Sequence, residues 1–466
     1  MRKFLAFVIL FFVFHSAYSQ QIREFSTDTS EFIIQFEEFM DGIDEQEEYF
    51  LDRFYSLWKY DSISYEQKDG IMETSNHMLR RRARPSPTFV NYLDLIIRQF
   101  DPELQEKNFD AWFESYNHLV AGSDVTFNEI ERAMNFVLTI IEDSSLYNLA
   151  GTHWKAGNDG FRFKNINNYP VVSYSDVDLS CYSNRDTLKI FNTSGEYNLI
   201  TLKWKGKGGR VNWERAGFQP DEVYADLSSY NIEINRSQYK ADSVKFYYRK
   251  YFDYPLEGYI QERAMPIANP ENATYPKFYS YQSSYNIPDL FREIEFHGGL
   301  SMQGAKLVGT GTVDDPASLM ISESDTLRMK IRSQNIVIRE ASMSSTSCEM
   351  VILLENDSIY HPDLDFLYLE DSDEIRITKK EVYTSGVPYS NSYHNMNMNF
   401  EELSWKRGTK NIDFQPSIGR AIGTAQFESN RFFNYNFFSE LQGRDYAHPL
   451  VSLWNFSRQV NGAREF

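Results

Sequence analysis

The sequence predicts an α-then-β protein. An N-terminal helical bundle should precede a large all-β region, built as stacked antiparallel sheets, a sandwich or an irregular β-solenoid. Three observations predict this. Apolar residues recur every three to four positions from Gln21 to about Ser145, the period of one helix face. Beyond Ser145 the period falls to two, the signature of a strand whose side chains alternate between faces. From Phe291 to Glu381, short apolar runs separated by Gly, Asn, Asp and Ser follow one another closely, as strands and turns do.

In chain order, Arg2-Lys3 precede an apolar run from Phe4 to Phe14, and Ala17-Tyr18-Ser19 supply small residues at −3 and −1 before Gln20. A basic start, an apolar middle and such a site make residues 1–19 a secretory signal peptide. The run is too short for a stable bilayer span, and no later segment approaches that length. The expectation is an exported protein in the periplasm, at the outer membrane or outside the cell, with no transmembrane segment after signal cleavage.

Residues 20–145 form the expected α-helical domain. Phe32, Ile33 and Phe36, then Phe54 with Leu57-Trp58, mark two helices, and Tyr92-Leu93 with Ile96-Ile97 marks another. Trp112-Phe113 with Tyr116, and Ile130, Met134 and Val137, mark the last two. Thr126 with Glu129 reads as a capping box, and Asp101-Pro102 and Pro85-Ser86-Pro87 as breaks.

Alternation at Leu188/Ile190, Val211/Trp213, Ile232/Ile234 and Val244/Phe246 places a first β region at 146–263. A Pro-, Asn- and Tyr-rich connection covers 264–290, a second β region 291–385, and an aromatic, Asn-rich C-terminal β or irregular region 386–466. The ending carries no recognisable sorting signal and leaves room for further chain. A turn Asp followed by apolar-x-apolar recurs at Asp186, Asp242 and Asp325, with variants at Asp357 and Asp373; such an Asp can bond the amides that launch a strand.

The formal net charge of −19 disfavours nucleic acid, whose phosphates this surface would repel. Cys181 and Cys348 both sit in strand-like context, where buried free thiols are the plainer reading and a single disulfide the alternative.

Asp363 and Asp365 form the strongest acidic pair. At i and i+2 they share a strand face, where they could act as paired catalytic carboxylates or, with Glu370, hold Ca²⁺; the competing reading is solvated acidic turns. His153 and Trp154 at the α-to-β junction could bind a glycan, against the plainer role of a Trp packing two regions together. Lys205-Gly206-Lys207-Gly208-Gly209-Arg210 could cradle an anion but fits a glycine-rich hairpin connection better. Arg80-Arg81-Arg82-Ala83-Arg84 could dock an acidic partner, or simply complement a helix C-terminus. His297 and His394 lack partners at metal-ligand spacing, and no H-E-x-x-H, G-x-S-x-G or C-x-x-C occurs.

Gly298-Gly299-Leu300-Ser301-Met302-Gln303-Gly304-Ala305-Lys306-Leu307 and Asp357-Ser358-Ile359-Tyr360-His361-Pro362, with the leader and helical start, resemble large exported β-rich proteins of Bacteroidota-type bacteria. That resemblance implies a Gram-negative envelope location. It implies no activity and carries no site residues. The expected function is a non-catalytic envelope scaffold or interaction protein with an envelope protein as partner and no cofactor. The alternative is a carbohydrate-binding or carbohydrate-active β protein.

Overall fold

The structure, a computed structural model, describes residues 22–60, 62–100, 107–157, 160–266, 269–380, 387–415, 425–430, 435–441 and 449–459. The expected signal peptide and the expected break at Asp101-Pro102 lie outside them. Helices come first, then antiparallel strands, as the change of period predicts. Compact units divide at Tyr279/Ser280, within the predicted 264–290 connection.

In the first unit the helices are α1 (Thr29–Phe39), α2 (Glu48–Lys59), α3 (Tyr65–Arg80), α4 (Val90–Gln99), α5 (Asp110–Ala121) and α6 (Phe127–Asp143). The capping box opens α6 as its spacing predicts: Glu129 Oε2 accepts from both the amide (3.0 Å) and the hydroxyl (2.6 Å) of Thr126. The Pro85-Ser86-Pro87 break appears as a turn with extended backbone at Ser86. Aromatic rings fill the bundle. Phe25 lies 5.3–6.3 Å from Phe32, Phe36, Phe39 and Phe89, and Phe32 stacks on Trp58 at 5.2 Å. The buried Asn76 side chain clamps the Phe25 backbone, accepting from its amide at 2.6 Å and donating to its carbonyl at 3.0 Å.

Strands follow without a break: β1 (Ser145–Leu149), β2 (Thr152–Ala156), β3 (Phe161–Ile166), β4 (Tyr169–Ser183), β5 (Asp186–Asn198) and β6 (Lys203–Lys207). Then come β7 (Arg210–Asn212), β8 (Val223–Asp226), β9 (Ser229–Glu233), β10 (Gln238–Tyr248), β11 (Leu256–Arg263) and β12 (Lys277–Ser280). Helices and strands share one core. Phe163 of β3 meets Phe109 at 5.2 Å and Trp112 at 6.4 Å, Phe136 of α6 meets Tyr147 of β1 at 5.8 Å, and the Phe163 amide donates to the Lys107 carbonyl at 2.7 Å.

Two-residue turns set the register. Ala150-Gly151, Asn167-Asn168 and Asn184-Arg185 each place both central residues at positive φ, the twist that matches paired strands. Asp186 therefore opens β5 directly after a turn, whereas Asp242-Ser243 lies at a bulge inside β10. The Gly208-Gly209 segment departs from the expected hairpin. β6 and β7 do not pair with each other; both run along β5, and the two glycines, at φ 69° and 104°, bend the chain between them.

In the second unit the strands are β13 (Tyr285–Phe291), β14 (Ile294–Gln303), β15 (Lys306–Thr310), β16 (Ala317–Glu323), β17 (Thr326–Ser333), β18 (Asn335–Arg339) and β19 (Ser342–Leu354). β20 (Asp357–Leu369), β21 (Glu374–Thr378), β22 (Tyr389–Asn391), β23 (Met396–Asn399), β24 (Glu402–Lys406), β25 (Asp413–Gln415) and β26 (Gln426–Ser429) complete them. Long strands change partner along their length. β19 pairs with β18 at Ser342–Ser344 and with β17 at Glu349–Ile352, either side of irregularities near Cys348. Such bulges let one strand serve two packing directions. Two short helices, α7 (Tyr435–Leu441) and α8 (Pro449–Gln459), stand where an irregular or β ending was expected. Cys181 and Cys348 are both buried and free.

Several glycines mark close ring approaches. A Cβ on Gly206 would lie 2.1 Å from the Tyr230 ring, which a 2.6 Å hydrogen bond to Thr193 holds in place. Gly206→Ala should therefore cost about 1–3 kcal/mol in urea denaturation. A loss below about 0.5 kcal/mol would show that Tyr230 swings aside freely.

Candidate functional site

Asp363 and Asp365 do share a face. Along β20, Leu364, Phe366 and Tyr368 are buried, while Asp363 and Asp365 stand half-buried on the other side. Asp363 Oδ1 accepts from Ser347 Oγ at 2.7 Å and Lys380 Nζ at 2.9 Å. Desolvation is the largest single influence and pushes its carboxyl up, but the two hydrogen bonds together with the nearby Lys380 charge hold Asp363 below the ordinary aspartate value. Asp365 goes the other way. Desolvation raises it, Lys380 only partly offsets this, and Asp363 adds repulsion. One Asp365 oxygen, Oδ1, is buried without a hydrogen-bond partner among the described residues. Neighbouring carboxyls driven apart in this way can divide proton donor and acceptor roles.

Glu370 does not join them. It lies in the turn from β20 to β21, about 17 Å along the strand from Asp365 at roughly 3.3 Å per residue. Among the described residues no group of three or more His, Cys, Asp or Glu is placed to hold a metal ion. His361 is fully buried, accepting at Nδ1 from the Asp363 amide (3.2 Å) and contacting the Val387 carbonyl through Nε2 at 3.2 Å. Burial lowers its pKa, and a neutral ring suits these two bonds. A recess of about 340 Å³ is lined by Ser347, Thr346, Arg332, Glu349 and Pro362 among others, and neither carboxylate of the pair lines it.

His153 and Trp154 are separated by the strand that carries them. Trp154 is completely buried, and its indole N–H donates to the Arg236 carbonyl at 2.9 Å. His153 points the other way, its Nε2 3.0 Å from Ser145 Oγ, with burial and Lys155 lowering its pKa. Consecutive strand residues cannot present one surface, so the pair forms no single glycan platform. Trp154 is a core pin.

A third cluster has no counterpart in the sequence-predicted sites. Arg215, on the short turn Glu214–Ala216, donates through Nη1 to Glu262 Oε1 at 2.7 Å and through Nη2 to Asp186 Oδ2. Its Nη2 also reaches the Arg263 carbonyl at 3.2 Å, and the Met265 amide donates to Asp186 Oδ2 at 2.8 Å. Glu262 is 2 % exposed, and desolvation raises its pKa to about 7 despite Arg215. A recess of about 160 Å³ opens beside the cluster, lined by Thr187, Lys189, Phe191, Asn212 and Glu214 with Arg215 and Glu262. The signal was present in β11. Leu256, Gly258 and Ile260 face inward at period two, and Glu262 is the charged residue at the next inward position.

Along β9–β11 runs an open groove of about 430 Å³ with Asn231, Glu233, Arg236, Lys240, Gln261 and Tyr275 in its walls, and Glu262 reaches it as well. Lys240 Nζ sits 4.3 Å over the Tyr259 ring, and Tyr259 stacks on Tyr279 at 5.0 Å.

Two expectations follow. A carboxyl raised in the folded state binds its proton more tightly there, so its stabilising contribution is full below about pH 4.5 and is lost as pH rises towards 7. Wild type should therefore lose stability relative to Glu262→Gln across that window in urea titrations; parallel pH curves would show that Glu262 titrates normally. In carboxyl NMR titrations, Lys380→Met should move both Asp363 and Asp365 upward. An unmoved Asp363 would assign its low value to Ser347 instead. In comparisons of sequence and of fold, no family model, no curated protein and no solved structure matches this chain.

Proposed function

We propose that this chain is an exported scaffold or interaction protein of the cell envelope, acting by binding a protein partner rather than by turning over a substrate. The observation that carries this reading is α8, which holds Val451, Leu453, Trp454 and Phe456 at 48, 46, 60 and 54 % exposure. Phe427 (51 %) and Tyr435 (65 %) add further exposed rings in the same part of the chain. Large apolar side chains concentrated at a surface favour a protein interface. The N-terminal leader supports the location.

A carbohydrate-binding or carbohydrate-active reading rests on a different observation. The β9–β11 groove combines amides, cations, carboxylates and tyrosine rings, and Asp363 and Asp365 stand paired with divergent proton affinities. Retention on a polysaccharide lost in Tyr275→Ala would favour it. Release of reducing or unsaturated ends, abolished by Asp363→Asn with Asp365→Asn, would make it an enzyme.

Under the leading reading the protein recovered from the envelope begins at Gln20. A photo-crosslinker at Phe456 should capture a specific envelope protein, and Trp454→Asp should abolish that capture. Because Trp454 is exposed, its stability cost should stay within about 0.5 kcal/mol. Reproducible turnover by the purified protein would overturn the proposal.

A further inference from the structure

We infer that the groove between the C-terminal end of α3 and the start of α6 binds an extended acidic peptide segment of a partner protein. This rests on the interaction-protein reading above and names the partner's chemistry at a second place. The groove holds about 430 Å³, in the helical part of the first unit. Its walls carry Arg81, Arg82 and Arg84 on one side and Asn128 and Asn135 on the other.

The four arginines divide by what they touch. Arg80 pairs with Glu24 at 3.4 Å. Arg81 is consumed by the end of α5 and the loop beyond it, donating to the carbonyls of Val120 (2.9 Å), Leu119 (3.3 Å) and Val125 (3.0 Å). Arg82 and Arg84 are exposed, and among the described residues neither pairs with a carboxylate. In a chain of net charge −19, two unpaired arginines facing one concavity make a local cationic site.

Arg82 also stands where stability alone would place glycine. The Arg82 amide donates to the Leu79 carbonyl at 2.8 Å and the Ala83 amide to the Met78 carbonyl at 3.0 Å, closing α3 in a Schellman motif. The residue between those bonds must be left-handed, and Arg82 has φ 63°. An exposed side chain held at that cost, with no ion pair among the described residues, fits a contact with something outside the chain.

The rest of the groove fits a peptide better than a small anion. Pro87, Phe127 and Met134 give it an apolar component. Asn91 Nδ2 donates to Asn135 Oδ1 at 2.7 Å, which leaves the Asn91 Oδ1 acceptor and the Asn135 Nδ2 donors for the carbonyl and N–H groups of a peptide backbone. Among the described residues one carboxylate stands on the wall, Glu131, and it accepts from the Thr88 hydroxyl. Acidic side chains would meet Arg82 and Arg84 in charge-assisted, bidentate fashion.

Fluorescence anisotropy of purified protein with a short labelled Glu/Leu peptide tests this. Binding should be saturable and weaken with added salt. Arg82→Gly and Arg84→Gln should each weaken it by about tenfold or more. Arg82→Gly should at the same time leave Tm unchanged or raise it, since glycine relieves the left-handed residue. A purely structural arginine would give the reverse, a lower Tm with binding intact. Absence of saturable binding, or binding indifferent to both variants, overturns the inference. Equal affinity for an oligogalacturonate of the same charge overturns the commitment to a peptide. Self-association abolished by Arg82→Gly overturns the separate partner in favour of a second copy. Peptide binding by a protein that turns out to be an enzyme would sink only the reading it rests on, and an intact α8 cross-link without peptide binding would sink only this inference.

Discussion

A strand sends consecutive side chains to opposite faces, and most of what this protein can do follows from that constraint. It sends Trp154 into the core and leaves His153 outside. It keeps Asp363 and Asp365 together on β20 while Leu364 between them is buried. It also brings Glu262 inward beside Arg215 while its neighbour Gln261 faces the open groove. Glu262 thus lines both the recess beside Arg215 and the groove along β9–β11, so the buried ion cluster borders each of them.

Much of this was legible from periodicity. The shift from a three-to-four spacing to alternation locates the passage from helices to strands, because the two backbones impose those periods on any buried face. The Thr126–Glu129 cap was legible for the same local reason. The Asp186–Arg215–Glu262 cluster was not, since its members lie 29 and 47 residues apart and only strand pairing unites them. The same pairing showed that Glu370 stands far along the hairpin from Asp365, a distance that adjacency in a short acidic stretch conceals. The Gly208-Gly209 bend misled because glycines mark positive φ without saying whether the chain reverses or merely turns.

Acidic though it is, the chain uses its buried cations sparingly and in specific ways. Arg215 lies between two carboxylates, and Arg407, 2 % exposed at its side chain, donates to Glu293 Oε2 at 2.9 Å and to the Arg292 carbonyl at 2.7 Å. Arg81 serves backbone carbonyls alone. Each such residue satisfies groups that burial would otherwise leave unpaired, the costlier failure in a folded interior. Against that pattern, the free guanidinium groups of Arg82 and Arg84 stand out by contrast.

The tight turns at Ala150-Gly151, Asn167-Asn168 and Asn184-Arg185 have a consequence for how this architecture can vary. Each joins strands whose register is fixed from the turn outward, so lengthening a turn by one residue would turn the following strand over and exchange its buried and exposed sets. In β2, β4 and β5 that exchange would put Trp154, Cys181 and Leu188 into water together. The fold should therefore tolerate a change in the identity of these turn residues far more readily than a change in their number.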